Sequence, residues 1–230
     1  MDLATINQIL TIPTEDKATP IKENEAAFIY HFLKEHYLTK TLEAGFAYAR
    51  SASHIIAATQ SQHIAIDPFQ DHYQNLGLKN IEKLGFSEHL DFRRDFSHNV
   101  LPQLVQEDRK FEFIFIDGDH KFDGILVDFY YADLLLEEHG YVLLHDTWMR
   151  STQLVMSFIE SNRPDYISVP TGLRNLALYQ KVGEDKRNGM FFKEFYTFKS
   201  VVAHNAIMWM STGKENFLKK MAHKVKEKVK

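Results

Sequence analysis

Apolar positions along this chain fall into short unbroken runs of strand length, separated by longer stretches of helical period. Thr41-Leu-Glu-Ala-Gly45, His63-Ile-Ala-Ile-Asp67, Leu90 to Asp95, Phe111 to Ile116 and Gly140-Tyr-Val-Leu-Leu-His145 are the strand-like runs. Phe111 to Ile116 is nearly all aromatic and β-branched, which fits a central strand buried on both faces. Between the runs, Ala26, Ile29, Phe32, Leu33 and Tyr37 recur at helical spacing, as do Phe122, Ile125, Leu126, Phe129, Tyr130 and Leu134. Small residues from Ser51 to Thr59, and the segments Leu78 to Leu84, Phe96 to Val105 and Ser151 to Ser161, supply the other helices. Thr19-Pro20 predicts a helix start with Pro20 in its first turn, and Gly140 predicts a helix stop before the fifth strand. Tyr166 to Val169 and Leu173 to Val182 are close enough in sequence to pair antiparallel. The alternation predicts an α/β, doubly wound, seven-stranded sheet, mostly parallel with a C-terminal antiparallel strand.

Three regions follow from the pattern. Residues 1–40 form an N-terminal lead-in and helix, with 1–19 loosely structured; residues 41–182 form the α/β domain. Residues 183–230 form a helical C-terminal extension, entered through the polar stretch Gly183 to Gly189. In it, Phe191 to Met210 is aromatic-rich and expected to be helical, packing on the domain or on a second copy in a homodimer. The lysine-dense Lys214 to Lys230 reads first as a solvated terminal helix and second as a binder of anionic surfaces.

Composition narrows the function. The 230 residues carry a formal charge of −4 and a pI near 6.3, which argues against nucleic acid as a partner. Cysteine is absent, so disulfides, thiolate ligands and a cysteine nucleophile are excluded. The first residues lack the basic and apolar regions of a signal peptide, and no apolar run reaches the roughly 20 residues a membrane helix needs. A cytoplasmic protein acting on a small molecule, without stable membrane insertion, is the expectation.

Polar groups gather at the strand ends, where open α/β sheets place their ligands. Glu43 to Gly45, Asp67, Asp95, Asp117 to His120, and His145-Asp146-Thr147 all stand there. Asp67 follows Gly45 at about the spacing that separates a glycine turn from a ribose-binding acid. The first turn, Glu43-Ala-Gly-Phe-Ala-Tyr-Ala-Arg-Ser51, has one glycine, too few for a pyrophosphate cradle. A nucleoside cofactor without phosphates tolerates its alanines. Simpler alternatives stay open at each position: Asp117 and Asp119 as helix caps, Asp67 as a surface acid before a proline turn, and His120 as a structural histidine.

Leu42 to Ser51, Ile66-Asp-Pro68, Phe115-Ile-Asp-Gly-Asp-His120 and Gly140 to Asp146 together resemble the ordered motifs of small class I methyltransferases, the catechol-type O-methyltransferases included. The resemblance spans roughly residues 25 to 182 and implies a Rossmann-like fold with S-adenosylmethionine as cofactor. It departs at Ala49, which stands where the second glycine of the first motif usually is. By the resemblance, Glu43 and Gly45 face the methionine end with Ser51 nearby, Asp67 holds the ribose, Asp95 reaches the adenine amine, and Asp117 joins the cofactor site. Phe69 or Phe96 covers the adenine ring, unless each is simply core.

By position the same resemblance places a divalent cation, Mg²⁺ or Mn²⁺, on Asp117, Asp146 and Thr147, the last where the family carries an amide. The alternative, as in related sugar and antibiotic enzymes, is Asp117, His145 and Asp146, unless His145 is a hydrogen-bonded structural histidine. An imidazole in the set suits Mn²⁺, Fe²⁺ or Zn²⁺ better than Mg²⁺. Asp117 and His120 are the expected catalytic pair, His120 lying where the family has its lysine base and titrating in the useful range. The expected activity is methylation of a small-molecule or sugar hydroxyl. Two rivals remain: a non-catalytic partner-binding protein on a decayed methyltransferase fold, and a nicotinamide-dependent oxidoreductase, which the glycine-poor turn disfavours.

Overall fold

The computed structural model describes residues 2–197, with 202 and 206. The N-terminal lead-in is more ordered than its polar composition suggests. Helix α1 (Leu3–Ile9) is capped by Asp2, whose carboxylate accepts from the Thr5 amide at 2.8 Å. Its Ile6 is fully buried beside the next layer. Helix α2 (Glu23–Glu35) starts three residues after Pro20 rather than on it, because the Glu25 carboxylate accepts from the Lys22 amide at 2.8 Å and closes the helix there.

The alternation then proceeds as the pattern predicts: β1 (Thr41–Ala44), α3 (Arg50–Thr59), β2 (His63–Ile66), α4 (Leu76–Lys83), β3 (Leu90–Arg93), α5 (Ser97–Gln106) and β4 (Phe111–Ile116). After these come α6 (Phe122–Leu135), β5 (Leu136–His145), α7 (Arg150–Asn162), β6 (Tyr166–Val169) and β7 (Leu176–Lys181). The seven strands form one sheet in the order β3-β2-β1-β4-β5-β7-β6. β1 to β5 are parallel; β7 runs antiparallel to both β5 and β6. The order reverses between β1 and β4, which opens a crevice at their carboxyl ends.

β4 shows why the sheet is central. Ile114 and Ile116 face a cluster with Val100, Leu104, Ile125 and Phe129 from α5 and α6. Phe113 and Phe115 face the opposite cluster, with Ile29, Phe32 and Leu33 of α2 and Ile55 of α3. Both faces are covered, so the strand is apolar throughout, Glu112 excepted. Glu112 sits at the strand's entry and accepts from the Thr39 and Lys40 amides at 2.7 and 2.9 Å.

Two details differ from expectation. Gly140 does not stop the helix: α6 ends at Leu135 and the strand begins at once, with an irregular register against β4. Gly140 is needed instead for close approach, since a β-carbon there would lie 3.0 Å from the Glu112 carbonyl oxygen. Residues 191–197 are also irregular rather than helical. They pack on α7, where Asn162 and Lys193 exchange hydrogen bonds at 2.8 Å and Phe195 meets Phe158 edge to face. The expected lysine-rich helix lies outside the described residues. Among the described residues no helix is long and apolar enough to cross a membrane.

Candidate active site

The carboxyl ends of β1, β2, β3 and β4 surround a cavity of about 740 Å³, which the end of β5 and residues 19–21 complete. Its floor is the turn after β1. Gly45 has φ +99°, and a β-carbon on it would stand 2.1 Å from the carbonyl oxygen of Asp117. No other residue fits there. Ala47 and Ala49 also adopt left-handed backbone, at φ 43° and 62°, a strain glycine would not carry.

Asp67 holds this turn in place. Its Oδ2 accepts from the amides of Ala47 and Phe46 at 2.8 and 3.3 Å, and its Oδ1 accepts from the Phe69 amide at 2.6 Å. The side chain is buried at the cavity's edge and shapes the loop that borders the cavity. Ser51 lines the cavity with Gly45. Glu43 does not: it lies fully buried beneath the turn, both carboxylate oxygens without a hydrogen bond, 3.5 Å from His63 Nε2. Burial pushes its carboxyl above the ordinary value despite His63. Asp95 is likewise outside the cavity lining; it stands just before α5, accepting from the Phe96 amide at 2.7 Å and from the Asn99 side chain at 2.9 Å.

Phe69 and Phe96 are not core. They are 47% and 45% exposed, meet edge to face at 5.7 Å, and line the cavity. Two exposed rings at a cavity mouth are placed to cover a flat apolar group.

The acids at the ends of β4 and β5 come together with His120. Ligand atoms of Asp117, His120 and Asp146 lie within 4.8 Å of one another. His120 Nε2 is 3.2 Å from Asp146 Oδ2 and 3.7 Å from Asp117 Oδ1. The acceptor carboxylate of Asp117, with Asp146 beside it, lifts the His120 imidazole above its ordinary value, against partial burial. Asp146 sits in left-handed backbone at φ 52°, and such strain concentrates at functional sites. The indole of Trp148, 67% exposed, donates to Asp146 Oδ1 at 2.9 Å.

His145 does not join this cluster as a ligand. Its Nδ1 lies 2.9 Å from Asp117 Oδ1, and its Nε2 lies 3.1 Å from Glu25 Oε2 and 2.9 Å from the Asn175 amide. Each ring nitrogen faces a carboxylate, Asp117 on one side and Glu25 on the other, so the ring is spent on these contacts. Burial disfavours its charged form, yet Asp117, Asp146 and Glu25 outweigh that and push it up to about 9. It is an imidazolium clamp between strand and helix. Asp117, under the same two histidines, is held below its ordinary value despite burial. Thr147, at the amide position of the resemblance, donates to the Arg174 carbonyl at 2.5 Å and turns away from the cluster.

Glu25, Asn175 and Asp128 enter the site without having stood out in the sequence. Glu25 had one signal, an acid at a helix position flanked by Ala26 and Ile29, which would otherwise be core.

Comparison with known proteins agrees with this geometry. Residues 42–147 match the model of a methyltransferase domain family. The chain is 30% identical over 100 residues to caffeoyl-CoA O-methyltransferase 1 of Eucalyptus globulus, covering 42% of this chain and 40% of that protein. It is 31% identical over 101 residues to caffeoyl-CoA O-methyltransferase 1 of Zea mays, covering 42% and 39%. The chain thus spans about two fifths of the curated relatives it matches. Its fold is that of an O-methyltransferase from Bacillus cereus solved with SAH, at TM-score 0.66 and 15% identity over 79% of this chain and 90% of that one. It is also that of TomG from Streptomyces achromogenes, solved with SAM, at 0.62 and 15% over 79% and 89%. Between Leu42 and Thr147 the chain thus carries a region that matches a methyltransferase domain family, on a fold shared with solved O-methyltransferases.

Proposed function

We propose that the protein transfers the methyl group of S-adenosylmethionine to a hydroxyl of a small molecule, with His120 receiving the hydroxyl proton. The observation that carries this reading is the cavity itself. A glycine turn that excludes any β-carbon leads to an acid–imidazole cluster within a single space. S-adenosylmethionine suits that space: it needs no phosphate cradle, and the turn with Ala47 and Ala49 offers none. Gly45 and Ser51 receive its amino-acid end, Asp67 shapes the turn about its ribose, and Phe69 and Phe96 cover its base. The cofactor supplies an electrophilic methyl on sulfur, and transfer forms a C–O bond as the C–S bond breaks. The chain positions the acceptor oxygen beside His120, and that alignment accounts for much of the rate.

The proximity of Asp117, His120 and Asp146 favours a second reading of the same site, in which they hold a divalent cation. Two carboxylates and an imidazole suit Mn²⁺, Fe²⁺ or Zn²⁺ better than Mg²⁺. Such an ion would lower the acidity barrier of a bound hydroxyl, and His120 would then be a ligand instead of the proton acceptor.

Calorimetry with S-adenosylhomocysteine tests the cofactor; absence of binding to folded protein would overturn the proposal. A methyl-transfer assay across hydroxylated small molecules then compares native protein with His120→Ala. Turnover should fall about a hundredfold or more with cofactor binding kept. Chelation separates the readings: loss of activity, restored by added Mn²⁺ or Zn²⁺, selects the cation site.

A further inference from the structure

Trp148 is an exposed aromatic residue that the reaction described above does not use. It stands between β5 and α7 and is 67% exposed. The turn that carries it is fixed without the indole. The Asp146 carbonyl accepts from the Met149 amide at 2.9 Å. The Gln153 side chain donates to the Thr147 and Trp148 carbonyls at 3.0 and 3.2 Å, and the Thr147 hydroxyl is tied to Arg174.

What the indole does touch is an acid of the site. Its Nε1–H donates to Asp146 Oδ1 at 2.9 Å. The Asn175 amide at 3.3 Å and His145 Nδ1 at 3.4 Å reach the same oxygen, so the indole makes the shortest of three contacts. Asp146 Oδ2 is left to face His120 Nε2 at 3.2 Å. A carboxylate anchored through one oxygen presents the other in a fixed direction. The bond also fixes the ring, which is held at its N–H edge and otherwise open to solvent. Asp146 and His120 line the cavity and Trp148 does not, so the indole stands just outside it. In the reading above the cofactor fills the cavity from the β1 turn to Phe69 and Phe96, and the acceptor approaches the exposed His120 from solvent, past Trp148.

Resting on that reading, we propose that Trp148 is the positioning residue for the acceptor: its N–H aims Asp146 toward His120, and its open face seats a flat ring that carries the reacting hydroxyl. A planar aromatic ring and the C–H face of a sugar offer the same flat apolar surface to an indole.

The test is methyl transfer from S-adenosylmethionine to simple phenols, methyl glycosides and open-chain alcohols. Native protein, Trp148→Phe and Trp148→Ala are compared, with S-adenosylhomocysteine calorimetry and ligand-free melting of each. Native protein should favour one ring-bearing panel over the open-chain alcohols by about tenfold or more in kcat/KM, and the favoured panel identifies the ring. Trp148→Phe keeps a flat face without the N–H. Its kcat should fall about tenfold, the scale of a hydrogen bond to a charged group, with KM within about twofold of native. Trp148→Ala should lower kcat equally and raise KM about tenfold through the lost stacking surface. Melting and S-adenosylhomocysteine binding should stay native in both, since the indole is exposed. Native kcat in Trp148→Phe, native KM in Trp148→Ala, or equal use of open-chain alcohols would overturn the assignment. So would native protein that binds S-adenosylhomocysteine yet methylates no panel. Native protein that binds no S-adenosylhomocysteine would instead overturn the cofactor reading itself.

Discussion

A β-carbon on Gly45 would stand 2.1 Å from the carbonyl oxygen of Asp117, so the first turn and the end of the fourth strand touch backbone to backbone. Gly45→Ala must therefore push the β1 turn off β4, as well as force alanine to φ +99°. The expected loss is about 2–4 kcal/mol of stability, read as a shift of the denaturant midpoint. S-adenosylhomocysteine binding should be lost with it. A variant that binds like native protein would mean the two strand ends are free to separate.

The alanines of the same turn behave differently from each other. Ala47 is partly exposed at φ 43°, so Ala47→Gly should relieve backbone strain and stabilise by up to about 1 kcal/mol. Ala49, at φ 62°, is fully buried with Ala52 and Ile56. Its methyl contributes about as much by burial as its strain costs, so Ala49→Gly should change stability little. Thermal melts of the two variants check the contrast.

Glu25 helps Asp117 and Asp146 hold His145 charged, from a helix far away in sequence. The folded-state value near 9 lies above the ordinary 6.5. The stability this ring contributes is thus fully present below pH 6.5 and is lost as pH rises through 9. Glu25→Gln removes one of its anionic partners. NMR titration should then show the His145 ring releasing its proton at lower pH, and the alkaline decline in melting temperature should begin earlier. Glu25→Ala should cost more, about 3 kcal/mol, by leaving a buried charge short of a partner.

Asp128 has the opposite pH signature from an ion-paired acid. Its folded-state value of about 6 lies above the ordinary 3.8, so it penalises folding increasingly as pH rises from 4 to 6. Asp128→Asn should match native stability near pH 4 and exceed it above pH 6, by on the order of 2 kcal/mol. Melting curves at pH 4 and pH 7 test this; equal differences at both would contradict it.

The sheet was legible because each buried strand is a continuous apolar run and each ends in polar residues. Phe111 to Ile116 and His63 to Ile66 needed only that local pattern, and the antiparallel pairing of β6 and β7 followed from their closeness. Local pattern could not choose between His120 and His145, since both stand at strand ends. The choice turned on Glu25, 120 residues away, which engages His145 from across the fold. Nor could it show that Asp67 bonds the turn's own amides, because amide direction follows from the left-handed backbone at Ala47. Asp128 shares its helix with Asp123 and Asp133, and local pattern does not show that it is the one turned fully inward. The irregular run at 191–197 was misread because its aromatic spacing suits a helix, while Asn162 holds its backbone otherwise.

The Glu25 to His145 contact sets where this protein can be cut. The region recognisable as a methyltransferase domain begins at Leu42, but one of the three anions that hold the imidazolium at the end of β5 comes from α2. A fragment trimmed to the recognisable region would leave His145 Nε2 without its carboxylate partner and uncover Phe113 and Phe115, on which α2 rests. Grafting the domain onto another carrier, or exchanging its lead-in with a relative's, therefore requires residues 20–40 to travel with it.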